Sequence, residues 1–139
     1  MKRVLMVLAL ASLLLSSACG GGVTGPVFQC GLFCVDLGGG LFVSFVCPDC
    51  STGGPAVDAL IRVGQVANVS ADVTVFGVPV TCATGIWSTT SPGVASVSGS
   101  GQAASTTGVA PGSTTISVQL DCGTNGAANA SFILGVAAP

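Results

Sequence analysis

The residues able to do chemistry are mostly cysteines. There are seven, at Cys19, Cys30, Cys34, Cys47, Cys50, Cys82 and Cys122. Cys30 and Cys34 form one close pair, Cys47 and Cys50 another, and twelve residues separate the pairs. Four thiolates so spaced could hold zinc tetrahedrally. In an oxidising compartment the same four would close two disulfides. Their pairing stays open; a bond between the two pairs would staple a hairpin around Gly38-Gly39-Gly40. Cys47-Pro48-Asp49-Cys50 also has the spacing of a thiol redox motif, which sits at a helix N-terminus that lowers the first thiol's pKa. Here Ser51-Thr52-Gly53-Gly54-Pro55 follows, a stretch that breaks a helix.

Little else is suited to catalysis. The chain has no His and no Glu, so the usual general acid–base groups are missing. The five acids, Asp36, Asp49, Asp58, Asp72 and Asp121, are scattered and make no calcium-loop pattern. Gly99-Ser100-Gly101 reads as a turn, since no helix follows it to cradle a phosphate. Asn68-Val69-Ser70 and Asn129-Ala130-Ser131 match a glycosylation sequon, here read as chance. No cofactor or metal is expected, and the chain is not read as an enzyme.

The N-terminus gives an address. Lys2 and Arg3 precede an apolar run from Val4 to Leu15, broken only by Ser12, and then small residues Ser16, Ser17 and Ala18. That order is a secretory signal peptide over residues 1–18. The run is too short for a bilayer span, which needs roughly 20 apolar residues. Leu15-Ser16-Ser17-Ala18-Cys19 followed by three glycines resembles the lipobox of bacterial lipoproteins. It departs from the pattern in holding Ser16, not Leu, three residues before the cysteine. The resemblance implies cleavage before Cys19 and thioether attachment of diacylglycerol to it. Acyl chains then supply about 0.8 kcal/mol per buried CH₂, and two or three chains anchor stably where one does not. Cysteine parity agrees: without Cys19, six cysteines remain, and six can all pair.

Removal of residues 1–18 would take Lys2 and Arg3 with it. Arg62 would then stand alone against five Asp, a net charge of −4. A Ser–Lys dyad is excluded on the same ground. A chain so poor in cations cannot neutralise a phosphate backbone, so no nucleic-acid partner is expected. Recognition of a protein or carbohydrate partner would have to use sheet edges or loops.

Residues 19–26 read as a tether, residues 27–55 as a Cys-rich segment, and residues 56–139 as a domain, with the boundary near Gly53-Gly54-Pro55. The domain alternates with period two. Ala67, Val69, Ala71, Val73 and Val75 share one face, and Asn68, Ser70, Asp72 and Thr74 the other. Ile116, Val118, Leu120 and Cys122 align, as do Ala128, Ala130, Phe132, Leu134 and Val136. Period two with β-branched enrichment predicts half-buried strands, and the turn-rich spacing predicts an all-β sandwich.

Over residues 63–118 the chain resembles the group 2 bacterial Ig-like domain (BIG2) family. The residues that carry this are Val63-Gly64-Gln65, Trp87-Ser88, Val94-Ala95-Ser96-Val97, Gly108-Val109-Ala110-Pro111-Gly112 and Ser113-Thr114-Thr115-Ile116. The stretch 101–108 is a few residues longer than the family's usual connection, which leaves that hairpin's register open. The resemblance implies an Ig-like β-sandwich, a module found in surface adhesins and as an extracellular spacer. Independently of it, Trp87, the single tryptophan, is read as a core plug between two sheets. Cys82 follows Val78 and Val80 at period two and Cys122 ends an inward-facing row, so a Cys82–Cys122 disulfide is predicted.

The expectation is a non-catalytic cell-envelope lipoprotein, held in the inner or outer membrane by lipid on Cys19. It would display an Ig-like module for adhesion, binding or scaffolding. In the alternative, segment 27–55 is a thiol–disulfide or zinc unit and the sandwich its stalk.

Overall fold

A computed structural model describes residues 34–139. The predicted signal peptide, the tether, Cys19 and Cys30 lie outside the described residues. Two β-sheets pack face to face. The first has the order β1 (Cys34–Asp36), β2 (Leu41–Val46), β5 (Val66–Val75), β9 (Ala103–Gly108) and β8 (Ala95–Ser100). A short strand β6 (Val78–Val80) also pairs with β5. The second has the order β3 (Ser51–Thr52), β4 (Ala59–Arg62), β11 (Ala127–Ala137), β10 (Gly112–Asp121) and β7 (Thr84–Thr89). The strands pair antiparallel except β4 and β11, which run parallel, and an isolated parallel bridge joins Val63 to Gly108. Among the described residues there is no α-helix, only a 3₁₀ turn at Gly123–Asn125.

The alternating rows become the core as period-two side chains must. Ala67, Val69, Ala71 and Val73 of β5 point inward, as do Ile116, Val118 and Leu120 of β10 and the even-numbered residues Ala128 to Val136 of β11. Ile61, Ile116 and Leu134 are essentially inaccessible, each worth about 1.5–3 kcal/mol of burial. Alanines at 67, 71, 95 and 128 leave room for three large rings. Phe45 of β2 packs on Phe132 of β11 at 4.9 Å and edge-on to Trp87 of β7 at 6.2 Å. This cluster joins the two sheets, so Trp87 does plug the core. Its indole N–H donates to the Gly101 carbonyl at 3.0 Å. Gly85 makes that approach possible, because a Cβ there would stand 1.9 Å from the Gly101 oxygen.

The boundary expected near Gly53-Gly54-Pro55 falls inside the sandwich. β2 pairs with β5 from Leu41↔Val75 to Val46↔Ser70, and β3 pairs with β4. Residues 34–52 therefore contribute to both sheets, and the glycines connect β3 to β4. The physical reason is that Leu41, Val43, Phe45 and Cys47 alternate like any other core strand. Val43 and Phe45 are buried.

Two turns needed the structure. Ser100 pairs with Ala103, so Gly101 (φ +58°) and Gln102 close the β8–β9 hairpin and residues 103–108 are strand. That settles the register left open by the sequence. Phe76 (φ +49°) and Gly77 (φ +79°) close β5 to β6. The exposed Phe76 ring lies over Gly40, where a Cβ would stand 2.5 Å from it.

Candidate functional site

Both predicted chemical features of the cysteines now have positions. Cys82 and Cys122 are bonded across 40 residues and buried. The period-two argument for Cys82 holds in outcome only: Val78 is exposed, β6 ends at Val80, and Cys82 lies in the connection beyond it. Cys47 and Cys50 are bonded to each other, so the illustrated staple between the two pairs does not form at these positions. That bond leaves neither sulfur as a thiolate for zinc. Strand β3 follows Cys50, not a helix, so no helix dipole acts on this pair. Cys34 opens β1, opposite Ser44. Among the described residues no group of three or more metal-ligating side chains comes together.

The Cys47–Cys50 loop clamps the free side of β5. On the β2 side, pairing stops at Val46↔Ser70, so residues 66–69 of β5 have no strand there. Asp49 takes the strand's place. Its carboxylate accepts from the Asn68 backbone N–H and from Asn68 Nδ2, both at 3.0 Å. Gln65 Nε2 donates to the Asp49 carbonyl at 2.6 Å. On the other side of β5, Gln102 fills the gap between β9 and β6. Its Nε2 donates to the carbonyls of Ala71 and Val80, and its Oε1 accepts from Cys82 N–H. Unpaired strand edges invite unwanted pairing, and these two side chains cover them.

The outer face of the first sheet next to the clamp is hollow. Register places Val46, Ser70, Ala103 and Ser100 in one row across four strands. The adjacent row is Asn68, Ser105 and Ser98. Because these side chains are small, the face dips into an open groove of about 680 Å³. Val46 and Pro48, the latter held by the disulfide loop, line it together with Asn68. Ser105 Oγ donates to Asn68 Oδ1 at 3.3 Å, which fixes the amide's orientation. No charged side chain lines the groove. One row further along the sheet, burial raises the Asp72 carboxyl above the ordinary carboxylate range, while a hydrogen bond with Ser70 pulls the other way.

Sequence reasoning did not single out this groove. Asn68 and Ser70 were assigned to the outer face of β5, but Gly99-Ser100-Gly101 was read as a turn, whereas Gly99 and Ser100 belong to β8. The outward Ser residues of β8 and β9 would have been the signal, had that hairpin's register been known. No family model matches the chain, and no curated protein matches it.

Proposed function

We propose that the chain is a non-catalytic, lipid-anchored protein of the bacterial cell envelope. It displays an Ig-like sandwich of the BIG2 kind for adhesion, binding or scaffolding. The observation that carries the reading is Cys19, directly after a leader-like run, on a chain whose described body is a disulfide-closed sandwich. Disulfides form and persist outside the reducing cytosol. The partner would be a protein or a carbohydrate, met on the sandwich surface, with lipid on Cys19 meeting the membrane.

Intact mass spectrometry of the protein from native membranes tests this. The expected product begins at Cys19 and carries two or three acyl chains. A water-soluble product without fatty acid refutes the anchor.

The thiol–disulfide reading of segment 27–55 draws on one observation, the Cys47–Cys50 bond with Cys50 half-buried. A thiol titration under mild reductant decides it. Display alone expects cysteines that stay inert, and a redox unit expects one fast-reacting thiol.

A further inference from the structure

We propose that the groove on the outer face of the first sheet binds an uncharged, polyhydroxylated ligand, a neutral saccharide chain. This deepens the display reading by naming the ligand class. The argument begins with what the groove excludes. An anionic ligand would find no cation there, since Arg62 is the only Lys or Arg among the described residues and does not line it. A cationic ligand would need a carboxylate in the lining, and none is there: of the two that border it, Asp49 accepts two bonds from Asn68, and Asp72 stands one row away, hydrogen-bonded with Ser70. A purely apolar ligand would strip water from Ser98, Ser100 and Ser105 without replacing its hydrogen bonds, at a cost for each hydroxyl. A peptide strand would pair along a sheet edge, but this hollow runs across β2, β5, β9 and β8, perpendicular to their backbones.

What fits is a molecule with hydroxyls on its rim and C–H surface on its face. The serines and the Asn68 amide supply both donors and acceptors. Val46 and Pro48 supply an apolar wall. The hollow, about 680 Å³ and open to solvent, would take one face of a chain laid across the sheet and leave its other face in water. The site is also preformed. The Cys47–Cys50 bond holds Pro48, and Asp49 and Ser105 together hold Asn68, so little ordering is left to oppose binding.

The test is backbone amide NMR of the mature chain with its disulfides intact. The probes are maltohexaose, cellohexaose, chitohexaose and mannohexaose at millimolar concentration, with polygalacturonate as an acidic control and a neutral strand-forming peptide. The expected result is that at least one neutral hexasaccharide shifts amides within 68–70 and 98–105. The double substitution Ser98→Leu with Ser100→Leu, both outward-facing, should weaken that binding at least tenfold without changing the melting temperature. Ser88→Leu, on the outer face of the other sheet, should leave it unchanged. If the double variant unfolds, Ser105→Ala, which frees Asn68 Oδ1, should still weaken binding. The proposal is overturned if no neutral saccharide shifts these amides, if only polygalacturonate or the peptide does, or if the serine variants bind as tightly as wild type. The acyl mass on Cys19 is read separately, so failure of the anchor and failure of the groove are told apart.

Discussion

Replacing Cys82 and Cys122 together by alanine removes a cross-link that spans 40 residues of chain. In the chain-entropy picture a loop of that length restrains the unfolded state by about 4 kcal/mol. Cys47 and Cys50 are only three residues apart, so the same reasoning assigns their bond about 2 kcal/mol. Alanine suits the first pair because both sulfurs are buried, and serine would strand a hydroxyl in the core. For a body of this size each kcal/mol corresponds to about 4 °C, so the Cys82/Cys122 variant should melt about 15 °C lower. Urea unfolding followed by Trp87 fluorescence reports the free energies directly, since the single tryptophan is buried between the sheets. The Cys47/Cys50 variant serves as the internal comparison. Equal losses from the two variants, or a loss below about 1 kcal/mol for Cys82/Cys122, would refute the loop-closure argument and place the stabilisation in native contacts.

Other consequences can be measured in the same assay. Trp87→Ala removes the indole that meets Phe45 and bonds Gly101, and should cost about 3–5 kcal/mol. Thr114→Val removes a buried hydroxyl that touches the hydroxyls of Thr89 and Thr90 and accepts from Ser91 N–H. It should cost about 1–3 kcal/mol, with faster amide exchange at Ser91. Asp72 has its folded pKa raised by burial, so its ionised form is disfavoured in the fold. Its contribution to stability is therefore complete below the ordinary value of 3.8 and lost as pH rises through the raised one. Wild type should lose stability relative to Asp72→Asn across that window, and parallel pH curves for the two would contradict the assignment.

The strands were legible where alternation ran long. The rows 67–73, 116–122 and 128–136 each state their buried face in apolar residues at every second position, and packing agrees, while Val75, at the end of the first row, is only half-buried. Trp87 was legible for a similar reason, as one large ring among small neighbours. The membership of β2 was hidden by its neighbours. Leu41, Val43 and Phe45 alternate correctly, but the cysteines and glycines around them suggested a separate unit. The parallel union of β4 with β11 joins residues some 75 positions apart, and no local pattern encodes such a pairing. The groove was illegible because it depends on register: Asn68, Ser105 and Ser98 are neighbours only once β5, β9 and β8 are aligned.

The second sheet is threaded in an awkward order. Its middle strand, β11, comes last of the described strands and stands between β4 and β10. A ribosome delivers β1 to β9 first, so the first sheet can zip while the second still lacks its spine. Until residues 127–137 emerge, β4 has only the two-residue β3 beside it, and the aromatic cluster lacks Phe132. A nascent chain therefore carries an incomplete second sheet until the last described strand is made. Locking then comes in one late step, when the final strand slots into place.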